Sequence, residues 1–129
     1  MPPQLHHEPP ILGQAKFHSR TDSLSLRATV GKYGQTGRSS VWLDTSNLGD
    51  HPDSFGPIDL GLGKGVNGKQ LRVTTVITDI STAHNNIYFK LEVLQGTTVV
   101  YFEERSKTVP SEGDSVQFDS FITLLLTLA

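Results

Sequence analysis

The sequence contains no cysteine among its 129 residues. This absence excludes disulfide bonds, thiolate zinc sites, cysteine nucleophiles and cysteine-ligated iron–sulfur clusters. A chain of this length can still bury a core without such cross-links, and it fits one domain. Because exported proteins can also lack cysteine, the sequence leaves the localisation unknown.

Alanine is also scarce, with four occurrences against thirteen for threonine. Alanine is the best helix former, whereas the β-branched side chain of threonine suits a pleated strand. Twelve glycines and seven prolines separate short apolar runs. The pattern predicts an all-β fold, an antiparallel β-sandwich of immunoglobulin-like or jelly-roll type with about seven to eight strands.

Long apolar runs are missing as well. No stretch approaches the roughly 20 apolar residues of a membrane span, and the start of the chain, MPPQLHHEPPILG, lacks the apolar core of a signal peptide. We therefore expect a soluble protein with no signal peptide in this chain. The formal net charge of −2 argues against a nucleic-acid partner, since such binders need many phosphate-neutralising cations.

The first 20 residues differ from the rest of the chain. Four prolines (Pro2, Pro3, Pro9 and Pro10) disfavour helix, and the few apolar residues show no periodicity. We expect residues 1–20 to be an extended or disordered arm, either free or tied across a partner or the domain's own surface. Residues 21–129 then form a single β-sandwich domain.

Alternating apolar and polar residues mark the clearest strands. They predict strands at Ser23–Val30, Ser40–Leu43, Leu71–Asp79, 87–94 and 97–104. Between them, Asp44–Gln70 is rich in glycine, proline and aspartate. A connection of that length indicates a functional loop or hidden short strands.

The strands 87–94 and 97–104 are predicted to form a hairpin around Gln95-Gly96. Alternation alone places Phe89 opposite Phe102 on one face. The same register places Tyr88 and Tyr101 together on the opposite, polar face.

The last apolar segment, 116–128, fits either a strand or a helix. Val116, Phe118, Ile122 and Leu124 share one face of a strand, with Ser120 as the exception. A helix would instead align Phe118 with Phe121, Ile122 and Leu125. We favour the strand because threonines suit it and no helix cap is present.

Four aspartates in the long connection are candidate metal ligands: Asp44, Asp50, Asp53 and Asp59. Carboxylate oxygens are the ligands that calcium prefers, so a calcium site is one reading. Their spacing does not match an EF-hand, whose twelfth position is here Phe55 and not glutamate. Aspartates that form turns are the alternative.

Catalytic motifs are not found. The glycine-rich run Gly61–Lys69 is followed by Gln70 where a phosphate-binding loop needs serine or threonine, and it leads into a strand. No G-x-S-x-G elbow is present, and Glu103–Glu104 point to opposite faces of a strand. We therefore expect no enzymatic activity.

Three aromatic residues are candidate ligand contacts: Trp42, Tyr88 and Tyr101. Exposed rings of this kind pack against sugar C–H groups in carbohydrate-binding modules, although cross-strand pairs that cover a sheet are the simpler interpretation.

The sequence favours a non-catalytic interaction or assembly module that acts through protein contacts, including self-association. Its arm supplies Ile11 and Leu12, and its last strand supplies Phe121 and Leu125 on a second apolar face, so these four residues are the candidate interface. Two alternatives remain open. One is a carbohydrate- or calcium-dependent binding module, and the other is a small enzyme whose site only the fold assembles.

Overall fold

The computed structural model describes residues 3–31, 35–80 and 86–127. This part of the chain is nearly all β, with 71% of the described residues in strands and 3% in helix, which confirms the predicted all-β fold. Within the described residues there are one short helix, α1 (Gly63–Val66), and ten strands. The strands are β1 (Leu5–His7), β2 (Ile11–Phe17), β3 (Ser23–Val30), β4 (Thr36–Leu43), β5 (Ser46–Pro52), β6 (Phe55–Leu62), β7 (Gln70–Thr78), β8 (Asn86–Gln95), β9 (Thr98–Thr108) and β10 (Ser115–Leu126).

The strand count exceeds the predicted seven to eight because two segments contain strands that their composition conceals. Residues 1–20 contain β1 and β2, and the connection Asp44–Gln70 contains β5 and β6. Glycine and proline within these strands weaken the apolar alternation by which strands are recognised. Leu128, at the end of the predicted last strand, lies outside the described residues.

The strands form two sheets. The larger sheet has the order β1-β10-β7-β4-β5, with β2 also paired to β10, and the smaller sheet has the order β6-β3-β8-β9. β1 and β2 pair with successive parts of β10 in parallel, whereas the remaining pairs are antiparallel. The sequence predicts an entirely antiparallel arrangement, so these two parallel pairings are a departure from it.

The two sheets share one apolar core. Phe89 of β8 stacks on Phe118 of β10, with ring centroids 5.5 Å apart, and so joins the smaller sheet to the larger one. Alternate residues of β3, including Leu24 and Leu26, are fully buried as the periodicity predicts. Two hydroxyls inside the core, those of Ser39 and Thr75, satisfy one another at 2.8 Å.

The segment 116–128 is a strand up to Leu126, which confirms the preferred reading over a helix. Val116, Phe118, Ile122 and Leu124 are buried on its inner face. Ser120, the exception to the apolar pattern, is also buried there, and its hydroxyl donates to a carboxylate oxygen of Glu103 at 2.9 Å.

Residues 4–17, here called the strap, run along the edge of the larger sheet. Ala15 and Phe17 are fully buried in the core. The backbone N–H of Thr127 donates to the carbonyl of Phe17 at 2.8 Å. The described part of the arm is therefore attached to the domain's own sheet, which is one of the arrangements expected from the sequence. It also contributes side chains to the core.

Polar contacts hold the strap along its length. Arg105 donates to the carbonyl of Pro9 at 2.7 Å. At the start of the strap, the Asp114 carboxylate accepts from the Gln4 N–H at 3.0 Å and lies 3.0 Å from the His6 ring. The His6 ring and the Gln4 N–H together lower the pKa of Asp114 below its usual value of 3.8.

The hairpin of β8 and β9 is present, but the predicted register is wrong. Leu94 pairs with Val99 and Val93 pairs with Tyr101, so Val100 is an extra residue in β9. Such a bulge moves every later side chain of the strand to the other face. The predicted turn is also wrong: Gln95 pairs with Thr98, so the turn is Gly96-Thr97 and not Gln95-Gly96. The turn displaces the register by two residues and the bulge by one more, so Phe89 lies opposite Arg105 and not opposite Phe102.

The bulge turns three polar side chains of β9 inward. Glu103, which is 7% exposed, accepts hydrogen bonds from Ser120 and from the Tyr101 hydroxyl, the latter at 3.0 Å. Arg105 lies 3.9 Å from the Glu103 carboxylate and covers the Phe118 ring at 4.7 Å. Burial and the neighbouring Glu103 raise the pKa of Tyr101 well above its usual value.

The register can be tested by replacing each of two adjacent residues of β9 with alanine in separate variants. Phe102 is 64% exposed, so Phe102→Ala should change the free energy of unfolding by no more than about 0.5 kcal/mol. Glu103→Ala removes the partner of a buried arginine and should cost about 2–3 kcal/mol. Urea unfolding of both variants measures this, and a larger loss for Phe102→Ala would place Phe102 inside after all.

The Asp114 contact predicts acid sensitivity. A carboxylate whose folded-state pKa is lowered stabilises the fold above its usual pKa, and this contribution is lost as the pH falls through the lowered value. Asp114→Asn should therefore unfold with a weaker pH dependence between neutral and acidic pH. Unfolding midpoints across that range measure the effect, with Glu112→Gln as the control, because Glu112 is an exposed carboxylate of the same loop. Equal pH dependence in wild type and Asp114→Asn would contradict it.

Candidate functional site

The outer face of the larger sheet brings together four residues that are far apart in the sequence. Leu12 of β2 lies opposite Phe121 of β10, Phe121 lies opposite Arg72 of β7, and Arg72 lies opposite Trp42 of β4. These four residues, here called the central row, cross four adjacent strands and span about 14 Å at the usual strand spacing. Their neighbours in the chain point inward because side chains alternate along a strand.

The central row combines exposed apolar area with one cation. Leu12 is 80% exposed, whereas Trp42 and Phe121 are half-buried. The guanidinium of Arg72 lies over the Trp42 ring, 5.8 Å from its centroid. Arg72 is exposed, and within the described parts of the chain it forms no ion pair. Its contact with the indole is a cation–π interaction.

A shallow depression of about 330 Å³ lies between the two aromatic residues of the row. Beyond the row itself, Asp44, Thr45 and Gln70 line it. Asp44 occupies the turn between β4 and β5 with a φ of +49°, and one of its carboxylate oxygens accepts from the Gln70 N–H at 2.8 Å. The depression therefore places a carboxylate and an arginine beside two aromatic rings.

A polar row runs next to the central row on the same face. Asp50, Ser40, Thr74 and Asp119 lie opposite one another on β5, β4, β7 and β10. The Thr74 hydroxyl donates to Asp119 at 2.9 Å. The outer face therefore carries a largely apolar row beside a polar one.

Of the predicted interface residues, two lie in the central row and the other two lie near it. Leu12 and Phe121 are direct neighbours in it. Leu125 points to the same outer face, opposite Lys16. Ile11 lies opposite Ser120 on the side that faces the smaller sheet, and it is half-buried.

The predicted aromatic contacts do not share one surface. Trp42 belongs to the central row, whereas Tyr88 lies on the outer face of the smaller sheet, where its hydroxyl donates to Glu104. Burial, together with Glu104, raises the pKa of Tyr88 to about 12. Tyr101 points inward and packs against Gly13 of the strap.

Of the predicted metal ligands, Asp44, Asp53 and Asp59 accept hydrogen bonds from backbone N–H groups, whereas Asp50 lies within β5. Asp53, with a φ of +54°, accepts from the Thr36 hydroxyl at 3.1 Å and from the Gly37 N–H at 3.0 Å. Asp59 accepts from the Gly61 N–H at 3.0 Å. Asp44 and Asp50 lie at separate places on the outer face. Among residues 3–31, 35–80 and 86–127, no three histidine or acidic side chains are grouped closely enough to hold a metal ion.

Arg72 is the site residue that sequence reasoning misses. In the sequence it is one of several polar residues that alternate with apolar ones along β7. Its place between Trp42 and Phe121 depends on β7 lying between β4 and β10, which no local pattern encodes.

Comparison of the chain with models of known protein families, with curated proteins and with solved structures gives no match. No helix in the described part of the chain has the length and apolar character needed to cross a membrane.

The structural role of Asp53 can be separated from metal binding. Asp53→Ala removes two hydrogen bonds from a turn at positive φ and should lower the free energy of unfolding by about 1–2 kcal/mol. Asp53→Asn, which keeps an acceptor oxygen and tolerates positive φ, should cost less. The difference in melting temperature between the wild type and each variant should be the same in excess calcium and in chelator. A difference that depends on calcium would instead indicate a metal site.

Proposed function

We propose that the chain is a non-catalytic β-sandwich module, of the immunoglobulin-like or jelly-roll type, that assembles with a second copy of itself through the outer face of its larger sheet. The observation that carries this proposal is the central row of Leu12, Phe121, Arg72 and Trp42. Tryptophan and arginine are the residue types that most often dominate binding energy at protein interfaces.

The exposed apolar area supports a contact surface. Where one face of an antiparallel sheet packs on the core, the other face is normally polar. Here the outer face instead carries Leu12 at 80% exposure, with Phe121 and Leu125 beside it. Burying these side chains against a partner would stabilise a complex by about 25 cal/mol for each Å² of apolar surface removed from water.

The charges of the face favour a second copy as the partner. A two-fold contact requires a patch that is complementary to itself. Arg72 and Asp44 line the same depression, and in the described residues neither forms an ion pair. Two copies that face one another therefore offer a positive and a negative group to each other in both directions.

Sedimentation velocity over a wide range of protein concentration tests this proposal. We expect reversible self-association that Leu12→Asp weakens at least about tenfold, equivalent to 1.4 kcal/mol. Phe102→Asp is the matched control, because Phe102 is a similarly exposed apolar residue on the smaller sheet. It should leave the association unchanged.

The single tryptophan provides a second readout. Because Trp42 lies in the central row, acrylamide quenching of its fluorescence should fall as the protein associates. A chain that remains monomeric at every concentration, or that loses association equally in Leu12→Asp and Phe102→Asp, would overturn the proposal.

A further inference from the structure

We propose that the β10 edge of the larger sheet is an acceptor site for a parallel strand, and that the strap of a second copy can occupy it in place of the chain's own strap. This inference rests on the self-assembly proposed above, and it names the segment that passes between copies. The recognition is β-strand addition, in which backbone hydrogen bonds supply affinity and alternate side chains supply specificity.

The strap lies at one edge of the larger sheet. In the described residues its two strands, β1 and β2, pair with β10. Residues 18–22 connect the strap to β3. Departure of the strap would expose the sites of Ala15 and Phe17, both fully buried in the core, so an open domain has a strong tendency to capture a strand.

The acceptor edge is selective for the strap's own sequence. Every second residue of β2 points toward the smaller sheet, and these positions are occupied by Ile11, Gly13, Ala15 and Phe17. A Cβ atom at position 13 would lie 2.5 Å from the Tyr101 hydroxyl, so a larger residue cannot occupy that position unless Tyr101 moves. A second copy of this chain supplies the required order of glycine, alanine and phenylalanine.

The polar anchors of the strap are retained on exchange. Arg105 contacts the carbonyl of Pro9, and Lys107 lies 3.6 Å from the Glu8 carboxylate. Asp114 contacts His6. Each of these contacts joins the strap to the body of the domain, so each can re-form when the strap comes from another copy. Exchange then alters only the path of the connection 18–22, and it makes formation of the complex depend on protein concentration.

The connection is tightly held in the closed form. The Gln95 side chain accepts from the Ser19 N–H at 3.2 Å and donates to the Ser19 carbonyl at 2.7 Å. The N–H of Lys64 donates to the carbonyl of Arg20 at 2.8 Å. A Cβ atom at Gly63 would overlap the Ser19 carbonyl oxygen.

Gly63→Ala is therefore expected to disfavour the closed connection more than the open one, because the added Cβ meets the Ser19 carbonyl only when the connection is closed, whereas its 3.0 Å approach to the Phe17 ring is the same in both forms. Gly65→Ala is the matched control, because a Cβ atom at Gly65 meets nothing within 4 Å. Both glycines lie in α1, so the two variants change helix propensity equally.

Engineered cysteines can detect the exchange directly because the chain has no cysteine of its own. Gln14 of the strap lies opposite Thr123 of β10, and both point outward. One copy carries Gln14→Cys and a second copy carries Thr123→Cys. The two copies are mixed, or unfolded together in urea and refolded, and are then oxidised. A chain carrying both cysteines, oxidised when dilute, verifies that the pair can form a disulfide.

We expect a disulfide-linked heterodimer of the two copies that also forms in the Leu12→Asp background. This background is needed because Gln14 and Thr123 lie on the outer face beside Leu12 and Phe121, where assembly through that face alone could also bring the two cysteines together. The yield of the heterodimer should rise with protein concentration and rise several-fold in the Gly63→Ala background, whereas Gly65→Ala should match the wild-type background. Absence of the heterodimer after both mixing and co-refolding, when the doubly substituted chain oxidises internally, would overturn the proposal. The wild-type background decides the question if Gly63→Ala fails to fold.

The experiments distinguish a failure of strand exchange from a failure of assembly through the outer face. If association remains sensitive to Leu12→Asp but no heterodimer forms, strand exchange is wrong and assembly through the outer face stands. If the heterodimer forms while association is insensitive to Leu12→Asp, the strap joins the copies and the outer face does not.

Discussion

Hydrogen bonding along both edges of β10 is the constraint on which the rest of the structure depends. One edge pairs with β7, and the other pairs with β1 and β2 of the strap. With the strand held on both sides, its alternate residues take fixed roles. Phe118 stacks on the smaller sheet, Ser120 binds the inward carboxylate of Glu103, and Phe121 enters the central row.

The bulge at Val100 links the smaller sheet to this arrangement. By moving later residues of β9 to the other face, it directs Glu103 and Arg105 toward β10 and the strap. Burial of a charged pair carries a desolvation cost that its Coulomb attraction often fails to recover. Here the pair also makes directional contacts to Ser120 and to the carbonyl of Pro9. Its main effect is therefore to fix where the strap lies.

The sequence predicts well only what is encoded locally. Alternation identifies β3 with its bounds and favours a strand at β10, because each side chain reports its own face. The strap escapes recognition because Gly13 and Ala15 contribute little apolar signal, and its pairing partner Thr123 lies over a hundred residues away. The hairpin register fails for a different reason: the turn is Gly96-Thr97, which displaces the pairing by two residues, and one extra residue at Val100 then reverses the faces. Arg72 joins the candidate site through strand order alone.

The outer face and the strap are physically coupled through Leu12. This residue is the most exposed member of the central row, yet it belongs to the strap and reaches Phe121 only because β2 is docked on β10. A strap that moves to another copy carries Leu12 with it, so the central row of the acceptor is completed by the donor. The register of β2 on β10 therefore determines both whether the edge of the sheet is closed and whether the outer face is whole. A substitution that loosens the strap removes apolar surface from the central row at the same time.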